Sequence, residues 1–131
     1  MDIGLAQSKV VVSGLANVDH PNIWKDGDTF AKEKATDTVS GAIAKLYKKL
    51  KAEGKESQPP FIALENFFVN TPMSRGKDLR EAVEMAREKL AKKLVDECKL
   101  NSKQAAKEAE KLVGATWDVG HINNLRKSGF E

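Results

Sequence analysis

The chain has 131 residues, 40% hydrophobic and 31% charged, with 22 basic against 19 acidic side chains and a net charge of +3. That length suits one modest domain, and so much apolar residue builds a core rather than a disordered chain. No apolar run approaches the ~20 residues that span a bilayer, residues 1–12 lack the pattern of a secretory signal, and the one cysteine, Cys98, excludes an internal disulfide framework and suits a cytoplasmic location.

The β-branched run Lys9-Val10-Val11-Val12-Ser13, closed by Gly14, predicts a buried strand. Residues 15–30, with His20-Pro21, Asp26-Gly27 and Asp28, read as a long loop. Over residues 30–53 the apolar positions Ala35, Val39, Ile43, Leu46 and Leu50 recur at helical spacing, and Gly54 fits the residue just past a helix end. Much of the basic excess, Lys45, Lys48, Lys49, Lys51 and Lys55, falls at that end, where cations suit the helix dipole. With 18 lysines to 4 arginines and no interleaved aromatics, this reads as a solvated helix end, and nucleic acid is disfavoured as a partner.

After a polar stretch and Pro59-Pro60, Phe61-Ile62-Ala63-Leu64-Glu65 predicts a second strand. A loop over residues 66–77 leads to Asp78 and Glu81, spaced as an acidic capping box. Leu79, Val83, Ala86, Leu90 and Leu94 form the buried stripe of a helix ending near Cys98, which is thus a packed or partly exposed helix residue rather than a nucleophile. Asn101-Ser102 caps a third helix with Ala105, Ala109 and Leu112 on one side, stopped by Gly114. Ala115-Thr116-Trp117-Asp118 predicts a third strand, and residues 122–127 begin a further helix.

Three strands alternating with long helices imply an α/β protein with parallel pairing, in which chemistry gathers at the carboxyl ends of the strands. Two of the three strands end in a carboxylate. Glu65 shares a face with Ala63 and Phe61, and Asp118 with Thr116 and Gly114. On neighbouring strands the two acids would meet, and a shared divalent cation would relieve their repulsion. His121, three residues beyond Asp118, adds an imidazole for metal or substrate. The alternative is that Glu65 caps a loop and Asp118 the following turn or helix, and for His121 that it makes a structural hydrogen bond.

Residues 61–67, Phe-Ile-Ala-Leu-Glu-Asn-Phe, and 115–123, Ala-Thr-Trp-Asp-Val-Gly-His-Ile-Asn, resemble consecutive strand ends of the xylose isomerase-like TIM barrels. That superfamily includes sugar-phosphate isomerases and epimerases and the endonuclease IV-type apurinic endonucleases. The resemblance implies a partial (β/α)8 TIM barrel, residues 1–131 supplying its strands three to five. It implies Glu65 as metal ligand and proton-transferring base, Asp118 as second ligand, and His121 as the imidazole on the substrate, with Asn66 and Phe67 beside it. Phe68 and Trp24 would add to the pocket wall, unless these aromatics serve as loop anchors or core. The cofactor would be a divalent cation, Mn2+, Mg2+, Zn2+ or Co2+, and the substrate a small sugar or sugar phosphate. Abasic DNA is the alternative substrate, although the clustered zinc sites of that branch need many imidazoles and this chain has only His20 and His121.

A full barrel takes ~250 residues, so this length covers about half of one. Such a half would expose two strand edges and an uncovered face. The expectation is therefore a fragment lacking the remaining ligands, inactive alone and inclined to pair through those edges into a homo-oligomer. A non-catalytic interaction domain is the third alternative.

Overall fold

The computed structural model describes residues 3–16, 25–55, 59–68, 71–127 and 129. These form helices α1 (Ile3–Ala16) and α2 (Gly27–Ala52), strand β1 (Ile62–Glu65), helices α3 (Gly76–Cys98) and α4 (Ser102–Leu112), strand β2 (Val113–Thr116) and helix α5 (Val119–Lys127). The described chain is mostly helical, with one two-stranded parallel sheet.

The partial barrel is thereby overturned. Of its three expected strands, the second forms as placed, the third forms two residues earlier, over Val113–Thr116, so that Asp118 lies past its end, and residues 9–13 lie in the middle of α1. Val10, Val11 and Val12 are largely exposed there. A β-branched run makes a strand only where a ladder partner and a face to pack on are available. Without them, a helix costs valine only ~0.7 kcal/mol or less per residue.

Helix α3 is the spine, packing against α2, α4 and both strands. Its stripe of Leu79, Val83, Ala86, Leu90, Leu94 and Cys98 is buried as the spacing predicts, joined by Ala82. From α4 come Ala105, Ala109 and Leu112, again the predicted face, and from the sheet Leu64 and Val113. The Asn101 side chain caps α4 by accepting the Gln104 N–H at 2.9 Å. No glycine stops that helix. It passes directly into β2, Gly114 lies within the strand, and Arg87 on α3 spans the junction by donating to the carbonyls of Val113 (2.9 Å) and Glu110 (3.3 Å).

Helix α2 packs on α3 with a face that keeps Ile43 and Val39 of the expected stripe but not Leu46. Thr36, Ser40, Ile43 and Ala44 are buried, while Leu46 stays exposed. Small side chains let the helices approach, and the buried hydroxyls bond within their own helix, Thr36 to the Lys32 carbonyl (2.8 Å) and Ser40 to that of Asp37 (3.1 Å). Satisfied this way, burial of a hydroxyl costs little, so a hydrophobicity count finds only part of the seam. Gly54 does end α2 as predicted. At φ +67° it lets its own N–H reach the Lys51 carbonyl (3.2 Å) and the Lys55 N–H reach that of Leu50 (2.9 Å).

The expected capping box at Asp78 and Glu81 does not form. The N-cap position of α3 is Arg75, with no side-chain cap bond. Both acids instead hold Lys32 of α2, at 3.2 and 3.0 Å. A second tie joins Lys89 to Asp37 (2.7 Å), the Glu33 carbonyl and the Thr36 hydroxyl. The Glu81 and Asp78 carboxylates raise the Lys32 pKa, and the Lys89 ammonium lowers that of Asp37. The Lys32 contribution is therefore complete below the ordinary lysine range and lost as pH rises through its raised value. That of Asp37 is complete above the ordinary carboxylate range and lost as pH falls through its lowered one.

Removing spine packing should be costly where removing α1 surface is not. Leu90→Ala is expected to destabilise by about 2–5 kcal/mol, read from urea unfolding followed by circular dichroism. Val11→Ser should stay within about 0.5 kcal/mol, and a larger loss would show that α1 packs into the core.

Candidate metal centre

Alternation along β1 turns Ile62 and Leu64 toward the helices and leaves Ala63 and Glu65 on the open face. The parallel register pairs Ala63 with Gly114 and Glu65 with Thr116, so the Glu65 carboxylate stands at the carboxyl end of the sheet beside β2. Two residues beyond Thr116 comes Asp118, just ahead of α5. Between them, Trp117 lies against Gly76 at the start of α3.

Asp118 is held by main chain and side chain alike. Its N–H donates to Asn66 Oδ1 at 2.6 Å, and its carbonyl accepts from Asn66 Nδ2 at 3.2 Å. Its Oδ1 accepts the Gly120 N–H at 2.7 Å, an N-cap interaction at the head of α5. A Cβ at position 120 would stand 2.9 Å from that oxygen, so a side chain there would make the Asp118 carboxylate shift.

The first turn of α5 then brings His121 back over the strand ends. Its Nδ1 lies 2.8 Å from the Asn66 carbonyl oxygen, and its Nε2 lies 3.4 Å from Asp118 Oδ2. A carbonyl can only accept, so Nδ1 carries the proton and donates it. In the neutral ring Nε2 is then the bare nitrogen, and it faces a carboxylate. Glu65, Asp118 and His121 each offer a ligand atom within 4.8 Å of the other two. The Phe68 ring lies 4.4 Å from the imidazole and the Phe67 ring 6.3 Å, the two phenyls meeting edge to face. Both remain about half exposed, so the cluster stays open to solvent on that side.

The structure thus gathers Glu65, Asp118 and His121, the three residues singled out from the strand ends. The capping alternative for Asp118 also holds, because one carboxylate oxygen caps α5 while the other faces the imidazole. Asn66 is buried beneath the cluster, 1% exposed, and Phe67 and Phe68 flank it. His20 and Trp24 lie outside the described residues. Spacing did not reveal the hydrogen bonds of Asn66 or the close approach of Gly120 to the Asp118 carboxylate. The signals available were an amide immediately after a strand end and a glycine two residues past a capping acid.

Comparison with protein-family models, with curated proteins and with solved structures returned no match to this chain.

The donor set fits a divalent ion with mixed nitrogen and oxygen preference, such as Zn2+, Mn2+ or Co2+, better than Ca2+, which takes oxygen ligands. Two ligands about 2.1 Å from a tetrahedral ion stand roughly 3.4 Å apart, which is the His121–Asp118 separation. An imidazole anchored through Nδ1–H to a carbonyl is also the usual arrangement behind a ligating Nε2.

Cys98 belongs to the core. Burial pushes its thiol pKa up, so at neutral pH it is protonated and a poor nucleophile. Its reaction with a thiol-reactive disulfide should be slow in the native protein and fast in urea. Rapid native labelling would contradict this placement.

Proposed function

We propose that this chain binds a divalent cation through Glu65, Asp118 and His121 Nε2, and that the centre serves proton transfer on a small sugar or sugar phosphate. The observation that carries the proposal is the Nδ1–H bond from His121 to the Asn66 carbonyl, which presents a bare nitrogen to Asp118 Oδ2 with Glu65 alongside.

A bound ion would supply polarisation of a substrate carbonyl or hydroxyl oxygen. The protein's own groups would do the rest. Glu65, the most exposed of the three, is the carboxylate that can reach a proton on the carbon next to a carbonyl, accept it and return it. Phe67 and Phe68 offer apolar ring faces beside His121, a surface on which the C–H face of a sugar packs. The motif resemblance points to the same substrate class. A phosphodiester substrate in abasic DNA is less well supported, because among the described residues His121 is the only imidazole in the cluster.

Calorimetric titration with Mn2+ or Zn2+ should show one site, and Asp118→Asn or His121→Ala should weaken it by more than about tenfold. Unchanged affinity in both variants would refute the centre. Deuterium exchange from D2O into candidate aldoses, ketoses and their phosphates, followed by NMR, tests the chemistry. Glu65→Gln should slow that exchange by about 10²–10⁴-fold. Cation binding with no exchange into any of these sugars would overturn the substrate assignment alone.

A further inference from the structure

We infer that Asn66 is a positioning residue that sets both the place of Asp118 and the tautomer of His121, so that the metal centre is arranged before any ion arrives. The inference deepens the cation reading above and rests on it for its functional meaning. Its structural content is independent of that reading.

The sheet register pairs Glu65 with Thr116, so continued pairing would set residue 67 against Asp118. β1 has ended by then, and no main-chain rung forms there. The Asn66 side chain supplies one instead. Its amide is chemically a peptide group, with one acceptor for the Asp118 N–H (2.6 Å) and one donor for the Asp118 carbonyl (3.2 Å). The same residue's main-chain carbonyl takes the His121 Nδ1 proton (2.8 Å). Three bonds from a residue 1% exposed thus reach two of the three candidate ligands. Asn66 is too buried to contact substrate, which separates its role from the substrate-binding one suggested by the resemblance.

Other side chains fail for stated reasons. Aspartate accepts but does not donate when ionised, serine is too short to span both groups, and alanine leaves the Asp118 N–H and carbonyl without partners. Among the described residues no buried side-chain polar atom lacks a partner, so the bond set around Asn66 is complete as it stands.

The test is 15N NMR of the full chain without added metal, followed by Zn2+ titration. In the unsubstituted protein His121 should show the Nδ1–H form, and the Asp118 amide should exchange slowly. A predominant Nε2–H form there would overturn the inference at once, whatever the variants do. In Asn66→Ala, with helical circular dichroism unchanged, Asp118 exchange should rise at least about tenfold. His121, whose partner is the main-chain carbonyl that the substitution leaves in place, should keep the Nδ1–H form, and Zn2+ affinity should fall by about 10–100-fold. If Asn66→Ala loses its helical signal, Asn66→Ser carries the same expectations. Unchanged Asp118 exchange in a folded variant would refute the role of the side chain. If the unsubstituted chain binds no Zn2+, the cation reading fails, while tautomer and exchange still decide whether Asn66 positions these groups.

Discussion

Burial of one face of α3 is the constraint on which the other elements depend. Leu90 and Leu94 are wholly inaccessible, and Leu79, Val83 and Cys98 nearly so, which requires a cover on every side of that stripe. α2 covers one flank, α4 another, and the two short strands a third. A two-stranded sheet is marginal in water, so β1 and β2 owe their pairing to the helix on which Leu64 and Val113 rest. The ion pairs of Lys32 and Lys89 with acids across the α2–α3 seam orient α2 rather than drive its packing, since partly exposed pairs contribute little.

The position of the candidate centre follows from that packing. With one face of the sheet against α3, every second residue of β1 is turned outward, and Glu65 is the last of them. The parallel pairing is what lets the ends of both strands, and the acids that follow, arrive at the same place. From there the site is built by short-range bonds. Asn66 fastens Asp118, the Asp118 carboxylate starts α5 through Gly120, and the first turn of α5 returns His121 to the Asn66 carbonyl. Each bond limits the freedom of the next group, so a cluster on the open face of a small sheet is still narrowly defined.

Legibility in the sequence divided along physical lines. The faces of α3 and α4 could be read because apolar residues at helical spacing have one sensible burial, and Leu79 to Leu94 and Ala105 to Leu112 took it. The α2 face could be read only in part, at Ile43 and Val39, because its seam also runs through Thr36 and Ser40, whose hydroxyls bond to their own helix. Asp78 and Glu81 have the spacing of a capping box, yet a lysine from another helix competes for both carboxylates and takes them. The three-stranded barrel segment failed at Val10 to Val12, where a local β preference met no partner strand.

What the sequence determined by itself was the set of groups available at two strand ends. Glu65 and Asp118 each close an alternating run, and His121 follows Asp118 at the spacing of one helical turn. Period-two alternation decides on which face a side chain emerges, and that is a local property. Only the tertiary structure decided that the two runs lie side by side, that residues 9–13 join neither, and which imidazole nitrogen faces the acids. Those outcomes depend on contacts between residues more than fifty positions apart, such as Asn66 with Asp118 and His121. Strand pairing and hydrogen-bond partners are settled by which surfaces α3 leaves uncovered, and no local pattern encodes that.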